Sequence, residues 1–478
     1  MRVNKRIKSI KWKEVVISYI AVFILFSALT ILPNLHNLTA LRIAVQLVTL
    51  AILLFALAMY TYNTDVAVMQ STRKTWAMFI TMLVSYALIQ MSSYIPSWDY
   101  VINLVPFALC ALVLSLIVSG KCGFFANFTV IMLCFVQDIN WRTNATLATE
   151  NFFYLLFSGV IEAMFASFVL GSYYRRLRYL YFGMILGIIS VACSTISYLI
   201  FQDEWSWIVF AIKAACSFGS GIIGVMLMFV LVPLFEKIFN VSSVFRFSEI
   251  ATSDSDLMRK LFAKAPGTYN HCITVATYVE ACASAIGESA VMARAAAYYH
   301  DIGKMKAPSY FVENQLSGIN PHDSMTPEAS VNMIKSHTIN GLAIAKEYGL
   351  PKEVQSAIME HHGTLPIKYF YVKAQNYTDG ELSYEGYCYD GPKPTNKISA
   401  ILMICDAAEA ALRAQGGKDN AAKIVENIVA ERMAFEQFSD CDISLKELDI
   451  IKGTIVTTFA GIRHNRISYP DVRLQGDK

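Results

Sequence analysis

Eight apolar stretches in the first 235 residues constrain this chain more than any other feature: 15–32, 41–62, 75–95, 101–118, 124–136, 152–171, 180–201 and 207–235. A helix needs about 20 mostly apolar residues to cross a bilayer core, so this half reads as a polytopic bundle of transmembrane helices. The first stretch is not read as a cleaved signal peptide, because its apolar run is long and no small-residue A-x-A site follows. The fifth, 124–136, is the weakest, short enough to suit a re-entrant segment.

Composition agrees. Over 478 residues, 55% are hydrophobic and 16% charged, and the mean hydropathy is +0.43. Those values exclude a disordered chain and a wholly soluble one. Residues 1–236 carry 15 Lys and Arg against 9 Asp and Glu, whereas 237–478 carry 25 against 28. The second half thus has soluble composition with no basic stripe, and a nucleic-acid polymer is not expected as a partner; the lipid bilayer is.

Positive charge collects in cytoplasmic loops. The leader 1–14 holds Arg2, Lys5, Arg6, Lys8, Lys11 and Lys13. Arg73, Lys74, Lys121, Arg175, Arg176 and Arg178 fall in alternate loops; the others hold only Arg142, with Arg42 at a border, beside Asp99, Asp138, Asp203 and Glu204. Eight spans therefore place both the N-terminus and the second half in the cytoplasm. Glu162 and Lys213 lie within spans, where charge is costly; the expectation is that they pair with each other or face a wet cavity. No ionisable relay accompanies them, which argues against a pump. The ten cysteines include no CxxC pair, so reduced, buried thiols are expected.

After a connector at 236–262, the remainder, 263–478, reads as an all-α domain. Helical periodicity is expected over 273–286, 290–299, 330–348, 352–361, 397–414, 421–437 and 445–459, with a long loop at 369–395. Seven of the eight histidines lie here. His300-Asp301 ends an apolar helix, His361-His362 precedes Gly363, and Asp406 sits in the apolar run Ile401-Leu402-Met403-Ile404-Cys405-Asp406. A carboxylate in such a helix needs a partner, and a metal ion supplies one. His271, His300, Asp301, His337, His361, His362 and Asp406 are enough for two metals plus water, held by inward-pointing residues of several helices. Two metals can clamp a phosphate and activate water. His322 and His464 lie in polar, loop-like surroundings and are read as structural.

These residues resemble a known family. His271, His300-Asp301 and Asp406 are similar to the ligand pattern of the HD phosphohydrolase superfamily, and His337 with His361-His362 to its two-metal phosphodiesterase branch. Ala265-Pro266-Gly267-Thr268-Tyr269-Asn270-His271, Tyr299-His300-Asp301-Ile302-Gly303-Lys304, Val312-Glu313-Asn314-Gln315, Glu360-His361-His362-Gly363-Thr364 and Gly391-Pro392-Lys393-Pro394 resemble the seven-transmembrane-receptor HD family. The resemblance implies a bacterial membrane protein whose cytoplasmic HD domain hydrolyses cyclic di-AMP to linear pApA with two divalent ions, iron or manganese. It assigns one metal to His271, His300, Asp301 and Asp406, and the second to Asp301, His337, His361 and His362. Lys304, one turn past His300, is expected at a phosphate oxygen. Arg413, seven residues beyond Asp406, and Lys393 are weaker substrate contacts. A second copy of the chain is kept as a partner, as a homodimer. Family members usually carry a sizeable extracellular domain after the first span; here that place holds only the loop 34–40.

Two alternatives stand beside the phosphodiesterase. One is a membrane receptor or scaffold that binds nucleotide without turnover, and the other an HD phosphohydrolase of a different nucleotide, such as a mononucleotide or guanosine alarmone. The full ligand set favours turnover, and the second-metal histidines favour a phosphodiester.

Overall fold

The computed structural model describes residues 10–37, 39–92, 100–141, 145–169, 176–202, 204–315, 319–377, 382–415 and 420–462. Among these the regular structure is helical, and the only β pairing is an isolated bridge between Pro366 and Cys388. Two compact units are present, Met1–Arg246 and Phe247–Lys478, so the connector expected at 236–262 is divided between them.

In the first unit, six helices are long and apolar enough to cross a membrane: Trp12–Asn34, Ala40–Thr64, Gly120–Gln137, Thr149–Phe168, Arg178–Phe201 and Trp207–Phe239. The stretch expected to be weakest is thus part of a full-length helix. The first two helices expose Ile17, Ile20, Ile24, Val48, Ile52 and Phe55, an apolar exterior suited to lipid. The helix Thr72–Met91 is long but more polar, with Thr75, Thr81, Ser85 and Gln90 all buried. A helix enclosed by protein need not be apolar all round.

The segment Val101–Ile117 departs from a continuous helix. It is a 3-10 turn at Val101–Leu104, a break at Val105-Pro106, and a helix Leu109–Ile117. Val105 is extended, at φ −73° and ψ 127°, as the residue before proline prefers. Leu109 to Leu114 are all buried, and irregular backbone at membrane depth is tolerated where protein surrounds it.

The expected Glu162–Lys213 pair is not formed. Lys213 pairs with Glu150, whose other carboxylate oxygen accepts from Gln202 Nε2 at 2.8 Å. Glu162 instead accepts the hydroxyl of Ser158. Glu162 is buried and Lys213 half-buried, each with a polar partner, as the cost of isolated charge in hydrocarbon demands.

In the second unit, one apolar core joins helices Pro266–Ala285, Ala290–Tyr299, Lys397–Gln415, Ala421–Ala434 and Leu445–Ile462. A second core packs Asp256–Lys264, Ala290–Tyr299, Pro327–Glu347 and Lys352–Glu360. Local signals set the helix ends. Pro266 and Pro327 open their helices at positions needing no N–H partner. The Pro327–Glu347 helix closes with Leu350 N–H on Ala345 O and Gly349 N–H on Lys346 O, at Gly349 φ +62°, the Schellman arrangement. The loop expected at 369–395 is partly wrong: helix Lys368–Gln375 opens it, and Phe370 and Ala374 pack with Val331 and Tyr387 in a small separate core. Its Tyr-rich composition masked that apolar face.

Candidate metal centre

Five elements bring the seven proposed ligands together. His271 lies in Pro266–Ala285, His300 and Asp301 follow Ala290–Tyr299, and His337 lies in Pro327–Glu347. His361 and His362 follow Lys352–Glu360, and Asp406 lies in Lys397–Gln415. Two groups have ligand atoms within 4.8 Å of one another: His271, His300 and Asp406, and Asp301, His337, His361 and His362. Asp301 faces both groups. Its Oδ2 lies 3.3 Å from His300 Nε2 and 3.7 Å from His271 Nε2, while Oδ1 lies 3.4 Å from His337 Nε2 and 3.7 Å from His361 Nε2.

The imidazoles are aimed from behind. His300, His337 and His361 each donate Nδ1–H to the carbonyl three residues earlier, at 2.7, 2.6 and 2.8 Å. That fixes the tautomer and leaves Nε2 facing inward, as ligating histidines require. His271 is held by Glu409 Oε2 at 2.7 Å. His362 stacks on Tyr389 with ring centroids 4.2 Å apart. Gly303 lets the Asp301 turn seat against the His337 helix, since a Cβ there would lie 1.8 Å from the His337 carbonyl oxygen.

The donor set fits divalent ions. His300 Nε2 and Asp301 Oδ1 are buried without a hydrogen-bond partner, and such orphaned atoms are costly unless something satisfies them. A mixture of imidazole and carboxylate suits iron, manganese or zinc better than magnesium.

Charge divides the cluster. Burial opposes ionisation of His271, but hydrogen bonds to Asp406 and Glu409 outweigh it and raise its pKa to about 10. His300 is likewise held well above its ordinary value, against burial, mainly by Asp301. Burial is unopposed enough at His361 to lower it to about 3, and His337 and His362 are also lowered. Asp301 and Asp406 stay well below the usual carboxylate range despite burial, held by Lys304 and His300 and by His271 and His300 respectively.

Lys304 Nζ sits 2.6 Å from Asp301 Oδ2 and 3.0 Å from Glu313 Oε1. Glu313 also accepts from Thr268 Oγ1 at 3.0 Å, and Asn314 Oδ1 accepts from Gly267 N–H at 2.9 Å. The sequence segment 312–315 therefore docks on the start of the His271 helix. Arg413 is more than half exposed and reaches Glu409 at 3.5 Å. The ionic partner of Lys393 is Glu436, at 4.0 Å, not a member of the cluster. His464 lies outside the described residues.

Sequence reasoning missed Glu409, and it quoted Glu313 and Glu360 within motifs without assigning them a role. Glu360 is buried and accepts Thr395 N–H at 3.0 Å and Thr395 Oγ1–H at 2.8 Å, tying the 391–396 turn beside His361. The available signal for Glu409 was its place one turn beyond Asp406 in the same apolar helix.

Two families match. "7TM receptor with intracellular HD hydrolase" covers residues 40–243, and "HD domain" covers 268–411. The cyclic-di-AMP phosphodiesterase PgpH of Listeria monocytogenes is 36% identical over 370 residues, which are 77% of this chain and 50% of that protein. PgpH of Bacillus subtilis is 34% identical over 370 residues, 77% of this chain and 51% of that protein. The chain thus spans about half the length of these curated relatives. A crystal structure of the L. monocytogenes PgpH HD domain in complex with cyclic di-AMP is 43% identical, covering 44% of this chain and 99% of that one, with TM-score 0.43.

Proposed function

The chain belongs to the family of 7TM receptors with an intracellular HD hydrolase, and on that premise we propose that it is a multi-pass membrane phosphodiesterase hydrolysing cyclic di-AMP to linear pApA. The observation that carries the reading is Asp301, a single buried carboxylate facing both groups of ligand atoms. Its relatives' names supply the substrate. His271, His300, Asp301 and Asp406 would hold one divalent ion, and Asp301, His337, His361 and His362 a second, with iron or manganese the best match to the donors. When bound, such ions withdraw charge from the phosphate and promote attack by water.

The chain's own residues do the rest. The three backbone-anchored imidazoles and Glu409 on His271 keep the ligand atoms in place before substrate arrives. Lys304 brings a buried positive charge to the Asp301 edge, where a phosphate oxygen gains from it as negative charge develops. Water oxygen bonds to phosphorus, the P–O3′ bond breaks, and the released oxygen takes up a proton.

The test is the full chain in detergent with manganese or iron, offered cyclic di-AMP, cyclic di-GMP and pApA, with products separated. Conversion of cyclic di-AMP to pApA is expected, and Asp301→Ala is expected to lose both turnover and bound metal. Lys304→Ala is expected to keep metal and lose about 10²–10³-fold in turnover. A metal-loaded wild-type chain that binds the nucleotide without turnover would replace this reading with the receptor.

A further inference from the structure

Glu162 is 1% exposed within the span Thr149–Phe168. It accepts the Ser158 hydroxyl, one turn earlier. Among the described residues no lysine, arginine or histidine pairs with it, and Lys213 is taken by Glu150. A hydroxyl supplies a hydrogen bond but cancels no charge, and an uncompensated carboxylate at membrane depth is costly.

Its surroundings are rich in oxygen. Glycine lets the spans Arg178–Phe201 and Trp207–Phe239 approach closely, since a Cβ on Gly221 would lie 2.3 Å from the Gly187 nitrogen. That approach sets Ser190 Oγ 3.2 Å from Ser220 Oγ. Tyr154 reaches in from Thr149–Phe168, with its OH 2.8 Å from Ser190 Oγ and 3.1 Å from Ser217 Oγ. The Ser190 hydroxyl in turn bears on the Glu162 carboxylate. The broken segment Val101–Ile117 closes the group on its other side: Asn103 Nδ2 donates to Ser194 Oγ at 2.9 Å and to Ser217 Oγ at 3.2 Å. Each of these side chains is at most 4% exposed.

One assignment of protons satisfies every link. Asn103 Nδ2 can only donate. Ser217 then gives its proton to Tyr154, Tyr154 to Ser190, and Ser190 to Glu162. Ser158 donates to the same carboxylate. Glu162 is thus an ionised acceptor of two hydroxyls, and the lone pairs of all three side chains remain for a cation.

We propose that Glu162, Ser158 and Ser190 bind one alkali-metal cation inside the membrane unit, with Tyr154 orienting Ser190. Oxygen donors suit hard cations. Charge selects the valence: a single positive charge neutralises one carboxylate, whereas a divalent ion would leave net charge buried. Discontinuous membrane helices recur at such ion sites, and Asn103 lies just before the break in one. The proposal is independent of the phosphodiesterase reading and of the metal centre, whose candidate ligands all lie in the second unit.

The experiment follows thermal unfolding of the full chain in detergent by tryptophan fluorescence. A chelator is present throughout, and sodium, potassium or choline chloride is supplied at equal ionic strength. All six tryptophans lie between residues 12 and 207, so the signal reports the membrane unit. Sodium or potassium should raise the midpoint above that in choline by about 2–4 °C, saturably. Glu162→Gln should abolish the rise. Ser158→Ala, which keeps the carboxylate, should raise the half-maximal salt concentration about tenfold. Glu204→Gln, at an exposed acid outside the spans, should respond as wild type. Equal midpoints in the three salts would overturn the site and make Glu162 a protonated acid. A Glu162→Gln chain that keeps the alkali response, or a Ser158→Ala chain that titrates as wild type, would overturn it as well.

Discussion

Glu409 illustrates how a residue outside the proposed ligand set governs one within it. Its carboxylate lies 2.7 Å from His271 Nδ1 and 3.5 Å from Arg413, so it orients the imidazole and connects the centre to an exposed cation. Carboxylates behind ligating histidines typically contribute about 10–100-fold in metal affinity. Glu409→Gln should therefore weaken one ion by that factor and leave the second, at His337, His361 and His362, in place. Metal titration of the purified variant checks this; equal loss of both ions would refute the division into two groups. The clustered candidate residues were legible from type and spacing, because histidine pairs and a carboxylate in an apolar helix have few bland readings. Glu409 was not, because an acidic residue near the end of a helix is usually solvated, and only packing makes it buried.

At the scale of elements, the last described helix, Leu445–Ile462, carries a reciprocal cap. Glu447 N–H donates to Ser444 Oγ at 3.2 Å, and Ser444 N–H donates to Glu447 Oε2 at 2.8 Å, the capping-box pattern. Partial burial disfavours the Glu447 carboxylate, but Lys397 and Ser444 outweigh it and lower its pKa from 4.5 to about 2. A depressed carboxyl stabilises the fold fully above its unfolded value and loses that contribution as pH falls through the folded one. The window is thus pH 4.5 down to about 2. Glu447→Gln should cost about 1 kcal/mol at neutral pH, and the gap from wild type should close across that window. Denaturation midpoints of both proteins against pH measure it; a gap independent of pH would refute the assignment. Helix existence followed from apolar periodicity, whereas the Lys368–Gln375 helix escaped because it buries little more than Phe370 and Ala374.

For the whole molecule, the matched receptor region 40–243 contains, among the described residues, Ala40–Thr64, Thr72–Met91, the broken segment Val101–Ile117, Gly120–Trp141, Ala145–Val169, Arg176–Phe201 and Trp207–Phe239. With Trp12–Ile31 ahead of them, eight crossings would put both ends of the chain on one side. Reporter fusions after residues 36, 140 and 204 should read as external, and those after 73, 121 and 176 and at the C-terminus as internal. A C-terminal reporter reading external would refute the count. Every proposed ligand of the metal centre lies in the second unit, which has its own apolar cores.

What the sequence determined by itself was a membrane half followed by a helical, histidine-rich half, because hydropathy and periodicity are properties of consecutive residues. It also determined the seven candidate ligands, because their residue types carry the chemistry wherever the chain places them. Only the tertiary structure decided that Asp301 faces both groups of candidate ligands, that Lys213 pairs with Glu150 rather than Glu162, and that His322 is buried with its Nε2–H on the Tyr310 carbonyl. Those outcomes depend on which helix faces pack together, and distances between residues far apart in the chain are set by that packing and not by local pattern.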